Sequence, residues 1–357
     1  MTAATASDRP AAPRHRIAPL PLFAALGALL ALSMAVALAV GAVDISPGAV
    51  LGILLDRAGF AGGPAFTSAQ SDVLWSIRLP RVVLGAVVGA GLGVAGGALQ
   101  GIFRNPLADP QLIGVSSGAA LGSAIAILSL EGLIGVVAGP IGGFAGGVAA
   151  GAVVYVIARH EGRTEVVTLV LGGIAVAAVF GAGAGMLSSA VRDARLGSAL
   201  FYSAGGLSVA TWRLVWTTLP FVAVALIALP FTGRSLNLAL LGDREAEYLG
   251  VDVERLRIVV FGLAIVAAGA TVAAAGVIGF VGLLAPHGVR LVAGPDHRIV
   301  LPAGALLGAT LVVLADVAAR TLASPIEIPV GLCTAILGGP VFLWLLAKTR
   351  REHGGWG

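Results

Sequence analysis

The chain is built from a succession of apolar stretches, each near the roughly 20 residues that a helix needs to cross a bilayer. They fall near residues 19 to 42, 79 to 101, 112 to 131, 134 to 158, 166 to 189, 214 to 231, 258 to 276, 277 to 293, 300 to 319 and 329 to 347. That pattern predicts an all-α polytopic membrane protein of about ten spans. Composition agrees: 58% of the 357 residues are hydrophobic and 11% charged, far from the averages of soluble domains. One membrane domain is expected over 19–348, between tails at 1–18 and 349–357. Two boundaries, between the third and fourth spans and between the seventh and eighth, are marked only by Gly, Pro and an isolated Glu131.

Charge sets the expected orientation. The first tail carries Arg9, Arg14 and Arg16, and the apolar run after it exceeds the roughly 7 to 15 residues of a signal-peptide core. Starting inside and alternating through ten spans places 15 of the 22 basic residues on the cytoplasmic side, in keeping with the positive-inside rule, with both termini cytoplasmic. The net charge of +4 then reflects topology and calls for no nucleic-acid partner. A single cysteine, Cys333, excludes an internal disulfide and a multi-cysteine metal cluster. Lys348 and Thr349 follow Leu-Leu-Ala, without the glycines that wrap a nucleotide phosphate, so a motor that burns ATP would have to be a separate polypeptide.

Several segments carry more than hydrophobicity. Between Arg78 and Gly118 two apolar runs flank a polar hinge with Asn105, Pro106, Asp109 and Pro110, whose backbone needs water or protein partners and belongs at a membrane surface or a cavity. Gly85, Gly89, Gly93, Gly97 and Gly101 recur every four residues and make a smooth strip on one helix face, suited to close helix packing or to a path for a bulky ligand. Residues 232–256 form the most charged internal run, with Leu238, Leu241, Ala246, Leu249 and Val251 beside Asp243, Arg244, Glu245 and Glu247, a pattern of short amphipathic helices. Gly242 and Gly250 suit the sharp turns that would bound such a helix. Arg78, Arg81 and Arg320 make a positive patch at the outer side, where snorkelling to headgroups is the simple reading.

These segments resemble the permease subunits of bacterial ABC importers for ferric siderophores, cobalamin and heme, the FecCD-like type II importers. The resemblance covers nearly all of the chain after about residue 70, including GFVGLLAPHGVRLVAGPDHRIVLPAGALLGA and SPIEIPVGLCTAILGGPVFLWLL. It implies a cobalamin-permease-like fold. By the same resemblance Arg78 and Arg81 in Ile-Arg-Leu-Pro-Arg, and Arg320 in Ala-Asp-Val-Ala-Ala-Arg, dock acidic residues of a periplasmic substrate-binding protein. Asn105 and Leu107 of Asn-Pro-Leu, with Val166 and Val167 before the fifth span, form a cytoplasmic gate, although the family often has small hydroxylated residues at the latter two positions. Leu241, Gly242, Asp243, Arg244, Glu245, Tyr248, Leu249 and Gly250 match the coupling segment that inserts into the ATPase. The implied machine contains two copies of this chain, two cytoplasmic ATPases and one binding protein in the bacterial inner membrane.

The cargo is the least constrained reading. The segment FRNPLADPQLIGVSSGAALG is most similar to heme permeases, which ranks heme first, ferric siderophore second and cobalamin third. All five histidines lie in or near cytoplasmic segments, so the path is expected to hold its cargo weakly and by shape, with no permanently bound cofactor. Met186 and Tyr202 are candidates for the translocation cavity, with ordinary packing as the alternative for each. His287 is read as a support for the coupling surface, and Glu327 as a partner for an outer arginine. The rival class is an ion-coupled secondary transporter, which would need charges near the bilayer midplane. Only Asp316 approaches that, and Arg320 stands one helical turn away.

Overall fold

A computed structural model describes residues 18–41, 43–60, 63–160, 163–190 and 204–352. The membrane-spanning elements are α1 (Pro19–Ala39), α4 (Leu79–Ile102), α5 (Val115–Ile134), α6 (Ala138–Ala158), α7 (Val166–Ala190), α8 (Trp212–Phe231), α11 (Val253–Ala275), α12 (Val281–Ala293), α13 (His297–Thr321) and α14 (Val330–Glu352). Eight of these are long and apolar enough to cross a bilayer; α12 and the apolar part of α14 are shorter. Each coincides with one of the ten expected spans. Between them lie α2 (Pro47–Arg57), α3 (Ser68–Val73), α9 (Gly233–Ala239) and α10 (Asp243–Tyr248).

Three differences from the sequence reading have local causes. The chain before the second span is helical as well: Thr67 and Gln70 form a reciprocal capping box at α3, and one π turn (Leu74–Arg78) carries α3 into α4. Gly135 at φ 67° stops α5 and a 3₁₀ turn follows, so α6 begins at Ala138. Gly276 at φ 67° and Phe280 at φ 65° likewise delay α12 to Val281. Among the described residues, a two-residue antiparallel pair, Arg159–His160 with Arg163–Thr164, is the β structure beside the helices.

The bundle is organised around α4, buried along most of its length, with α11 and α13 as its better-buried neighbours and α1, α5, α6, α7 and α8 more exposed. The glycine strip explains the centre. A β-carbon on Gly89 would strike the carbonyl of Gly308, and one on Gly93 that of Gly304, both on α13. Gly97 faces Pro286 and Leu301, and Gly101 faces the His297 ring. The strip is therefore a helix-packing surface inside the protein. The α5–α6 hairpin repeats the device, with Gly118 and Gly122 against Gly146 and Gly142.

Candidate functional site

Among the described residues, the ion pairs gather at the two ends of the bundle. At the end assigned to the outside by the charge bias, Arg81 Nε donates to Asp316 Oδ1 at 2.9 Å and Arg81 Nη1 to Glu327 Oε1 at 3.0 Å. Arg320 Nε lies 3.4 Å from the other Asp316 oxygen. Arg78 Nη1 donates to the carbonyls of Leu38 and Ala39 at 2.7 and 2.9 Å, and Arg320 to those of Ala37 and Val40 at 2.6 and 2.9 Å. The last carbonyls of a helix have no intrahelical donor; here two arginines cap α1. Trp75 and Trp212 pack nearby with their rings tilted, centroids 5.7 Å apart, in the way aromatic residues gather at a membrane interface.

This placement corrects one premise of the sequence reading. Arg78, Arg81 and Arg320 do converge, but not as an open cationic patch: Arg78 and Arg81 are buried, and all three guanidiniums are committed to acceptors of the same chain. Sequence spacing could not show the acceptors, since most are backbone carbonyls some 40 or 280 positions away. Glu327 does pair with an outer arginine, and the arginine is Arg81.

The hinge after α4 obtains its partners from protein. Arg104 takes φ 51°, Asn105 Oδ1 accepts from Leu107 N at 2.9 Å, and Asp109 Oδ1 caps the 3₁₀ turn Pro110–Ile113 through Gln111 N at 2.9 Å. Gln100 Nε2 donates to the carbonyls of Ala108 and Gly282, and Gln111 Nε2 to that of Ile278. These two amides were not singled out in the sequence, although a glutamine within an apolar run is the signal that finds them. Burial pushes the Asp109 carboxyl up to about 6, against the lowering effect of its bond from Gln111.

At the same end, α10 and the residues flanking it present Leu241, Tyr248 and Leu249 to the exterior, Tyr248 being 90% exposed. Arg244, Glu245 and Gly250 are exposed as well, whereas Ala246 is buried and anchors the helix. Gly242 at φ 137° and Gly250 at φ 84° make the bounding turns. Asp243 points back into the protein. It accepts from Arg257 Nη2 of α11 at 2.7 Å and from Arg104 of the hinge. Burial raises its carboxyl pKa, but the two arginines outweigh that and hold it below the usual carboxylate range.

A second link runs to the start of α7. Glu254 of α11 accepts from Thr164 N at 3.0 Å, from the Thr164 hydroxyl and from Tyr155 Oη at 3.1 Å, and lies 3.8 Å from Arg257 Nη1. Val166 lines a small cavity with Ile102, Phe103 and Phe261. Val167 is 71% exposed, so the two valines do not share a surface. Asn105 is exposed and Leu107 half-buried.

Elsewhere at this end Asn237 clamps α9 to α13, donating to Asp296 Oδ1 at 2.6 Å and accepting from His297 N at 2.9 Å. Met186 of α7 is exposed, and Tyr202 lies outside the described residues. Among the described residues, no three His, Cys, Asp or Glu side chains converge as a metal site.

A multi-helix membrane bundle, with a buried ion cluster at one end and, at the other, a partly exposed one that ties an exposed amphipathic helix to a polar hinge, has the architecture of a transport permease. The chain matches the FecCD transport family over residues 29–348 and belongs to that family. It is 42% identical to the hemin transport system permease protein HmuU of Yersinia pestis over 297 residues, 81% of this chain and 89% of that one. It is 45% identical to the cobalamin import system permease protein BtuC of Halobacterium salinarum over 275 residues, 77% and 73% of the two chains. A solved structure described as an inward-facing conformation of a metal-chelate type ABC transporter superposes with a TM-score of 0.77 at 30% identity, covering 93% of this chain and all of that one. The chain is thus a multi-pass permease of the ABC-importer class, and the ion-coupled carrier is set aside.

Proposed function

We propose that this chain is the permease of an ATP-driven importer that carries heme from a periplasmic binding protein into the cytoplasm, working as two copies with two ATPase subunits in the inner membrane. The observation that carries the mechanism is the double linkage at the cytoplasmic end. Asp243 joins the exposed α10 to Arg104, the residue before Asn105, and to Arg257. Glu254, beside Arg257, holds Thr164, two residues before Val166. A displacement of α10 by the ATPases, which would grip Leu241, Tyr248 and Leu249, then reaches both candidate gate segments through bonded groups.

At the outer end, an acidic side chain of a binding protein would compete for Arg78, Arg81 and Arg320 with Asp316, Glu327 and the α1 carbonyls. Docking would exchange internal partners for external ones and so bias the helix packing beneath. Heme as cargo is supported by the 103–122 segment and by the hemin permease among the relatives; cobalamin and ferric siderophore are the alternatives.

Reconstitution of the chain with its ATPase and binding protein in liposomes tests the reading. ATP-dependent uptake of heme, with little uptake of cobalamin or a ferric siderophore, is expected. Preference for either alternative overturns the cargo, and absence of ATP-dependent uptake of all three overturns the importer.

A further inference from the structure

A cavity of about 660 Å³ opens away from the linkage just described, between the end of α5, the start of α6, the start of α8 and α11. Ile127, Phe144, Leu214 and Phe221 give it apolar walls. Exposed Ile141 and Val209 are part of its lining, as on a surface that meets lipid tails. It lies at the outer end of the bundle, where Trp212 of α8 donates to the Trp75 carbonyl. Two groups of opposite charge also line it, Glu131 and Arg213. Glu131 Oε2 is shielded from solvent with no hydrogen-bond partner among the described residues. Glu131 and Arg213 thus bring a carboxylate and a guanidinium to the lining of an otherwise largely apolar cavity.

We propose that this cavity is a binding site for a phospholipid whose headgroup carries a primary amine. The ammonium donates to Glu131, the phosphate sits against the Arg213 guanidinium, and an acyl chain lies along Phe144 and Phe221. The pairing of charges matches a zwitterion, and the volume and apolar walls match a hydrocarbon chain at its membrane border. Among common headgroups only the primary amine satisfies both ends: choline is cationic without an N–H to donate, and glycerol has no cation. The inference is independent of the cargo and of the importer mechanism.

Native mass spectrometry of the full chain, delipidated in detergent and offered equal amounts of phosphatidylethanolamine, phosphatidylcholine and phosphatidylglycerol with identical acyl chains, tests it. Phosphatidylethanolamine is expected to be retained about tenfold over phosphatidylglycerol, the worth of one charge-assisted hydrogen bond. Glu131→Gln should bring phosphatidylethanolamine and phosphatidylcholine to parity, and Arg213→Gln should lower retention of all three. Thr217→Trp, which fills the cavity from its exposed wall, should also expel all three while the protein elutes from size exclusion unchanged. Equal retention of the three lipids, a preference unaltered by Glu131→Gln, unaltered retention in Thr217→Trp, or displacement of the lipid by heme would each overturn the assignment.

Discussion

Arg81 shows how one residue can carry two meanings. Its sequence context, Ile-Arg-Leu-Pro-Arg, matches a docking motif, while its guanidinium bridges Asp316 and Glu327 and so ties α4 to α13 and to the segment before α14. Removing one member of a buried ion cluster leaves the other uncompensated, at a cost of about 3 kcal/mol or more. Arg81→Met is therefore expected to lower the thermal midpoint of the detergent-solubilised protein clearly, and an unchanged midpoint would show that the bridge contributes little. Asp109 makes the opposite kind of statement. Its folded-state pKa of about 6 stands above the ordinary 3.8, so the folded state binds its proton more tightly than the unfolded chain does. Its contribution is neutral below about 3.8, becomes unfavourable as pH rises towards 6, and stays constant above that. Asp109→Asn, which keeps an acceptor for Gln111 N, should gain on the parent in thermal midpoint across that window. A gap independent of pH from 3.5 to 8 would contradict the assignment. The sequence offered Glu327 as partner for an outer arginine, but not the pairing of Arg81 with Asp316 or the burial of Asp109, which come from elements far along the chain.

At the scale of elements, the spans were legible because apolar runs of membrane length leave few alternatives, and the glycine strip was legible as a periodicity. Its purpose was not: only the meeting of Gly89 and Gly93 with Gly308 and Gly304 decides between a ligand path and a helix seam. Gly93→Leu is accordingly expected to prevent α4 and α13 from approaching and to abolish the monodisperse peak in fluorescence-detected size exclusion, whereas Gly262→Ala, at a position with open space, should not. The short α2 and α3 escaped the reading because segments of 11 and 6 residues carry too few periods to register against spans twice their length. The segment proposed to couple to the ATPase stands out in sequence by its mixture of charge and leucine, but its attachment does not. Arg104, Thr164, Glu254 and Arg257 are ordinary polar residues in sequence and come together with Asp243 only where α10, α11 and the hinge meet. Tyr248→Ala, which removes an exposed side chain, is expected to weaken binding of the ATPase subunits in pull-down while leaving the fold intact; full retention would move the contact away from α10.

For the whole molecule, the two ends are bound together by a central α4 that starts beside Arg78, Arg81 and Arg320 and finishes at the hinge of Arg104 to Pro110. Packing of α4 against α13 along its length makes independent movement of either end costly, because close-packed helices move as bodies. Signals from a binding protein and from an ATPase would therefore meet in one rigid core. The central claim is that Asp243 transmits motor movement to the gate through Arg104. It is tested most directly by ATP-dependent heme uptake per ATP hydrolysed in liposomes, measured for Arg104→Gln, Asp243→Asn and the double variant. If the two residues act through one another, each single change lowers the ratio and the double variant is no worse than the more severe single one. Multiplying losses, or a ratio unchanged in either single variant, would contradict the linkage.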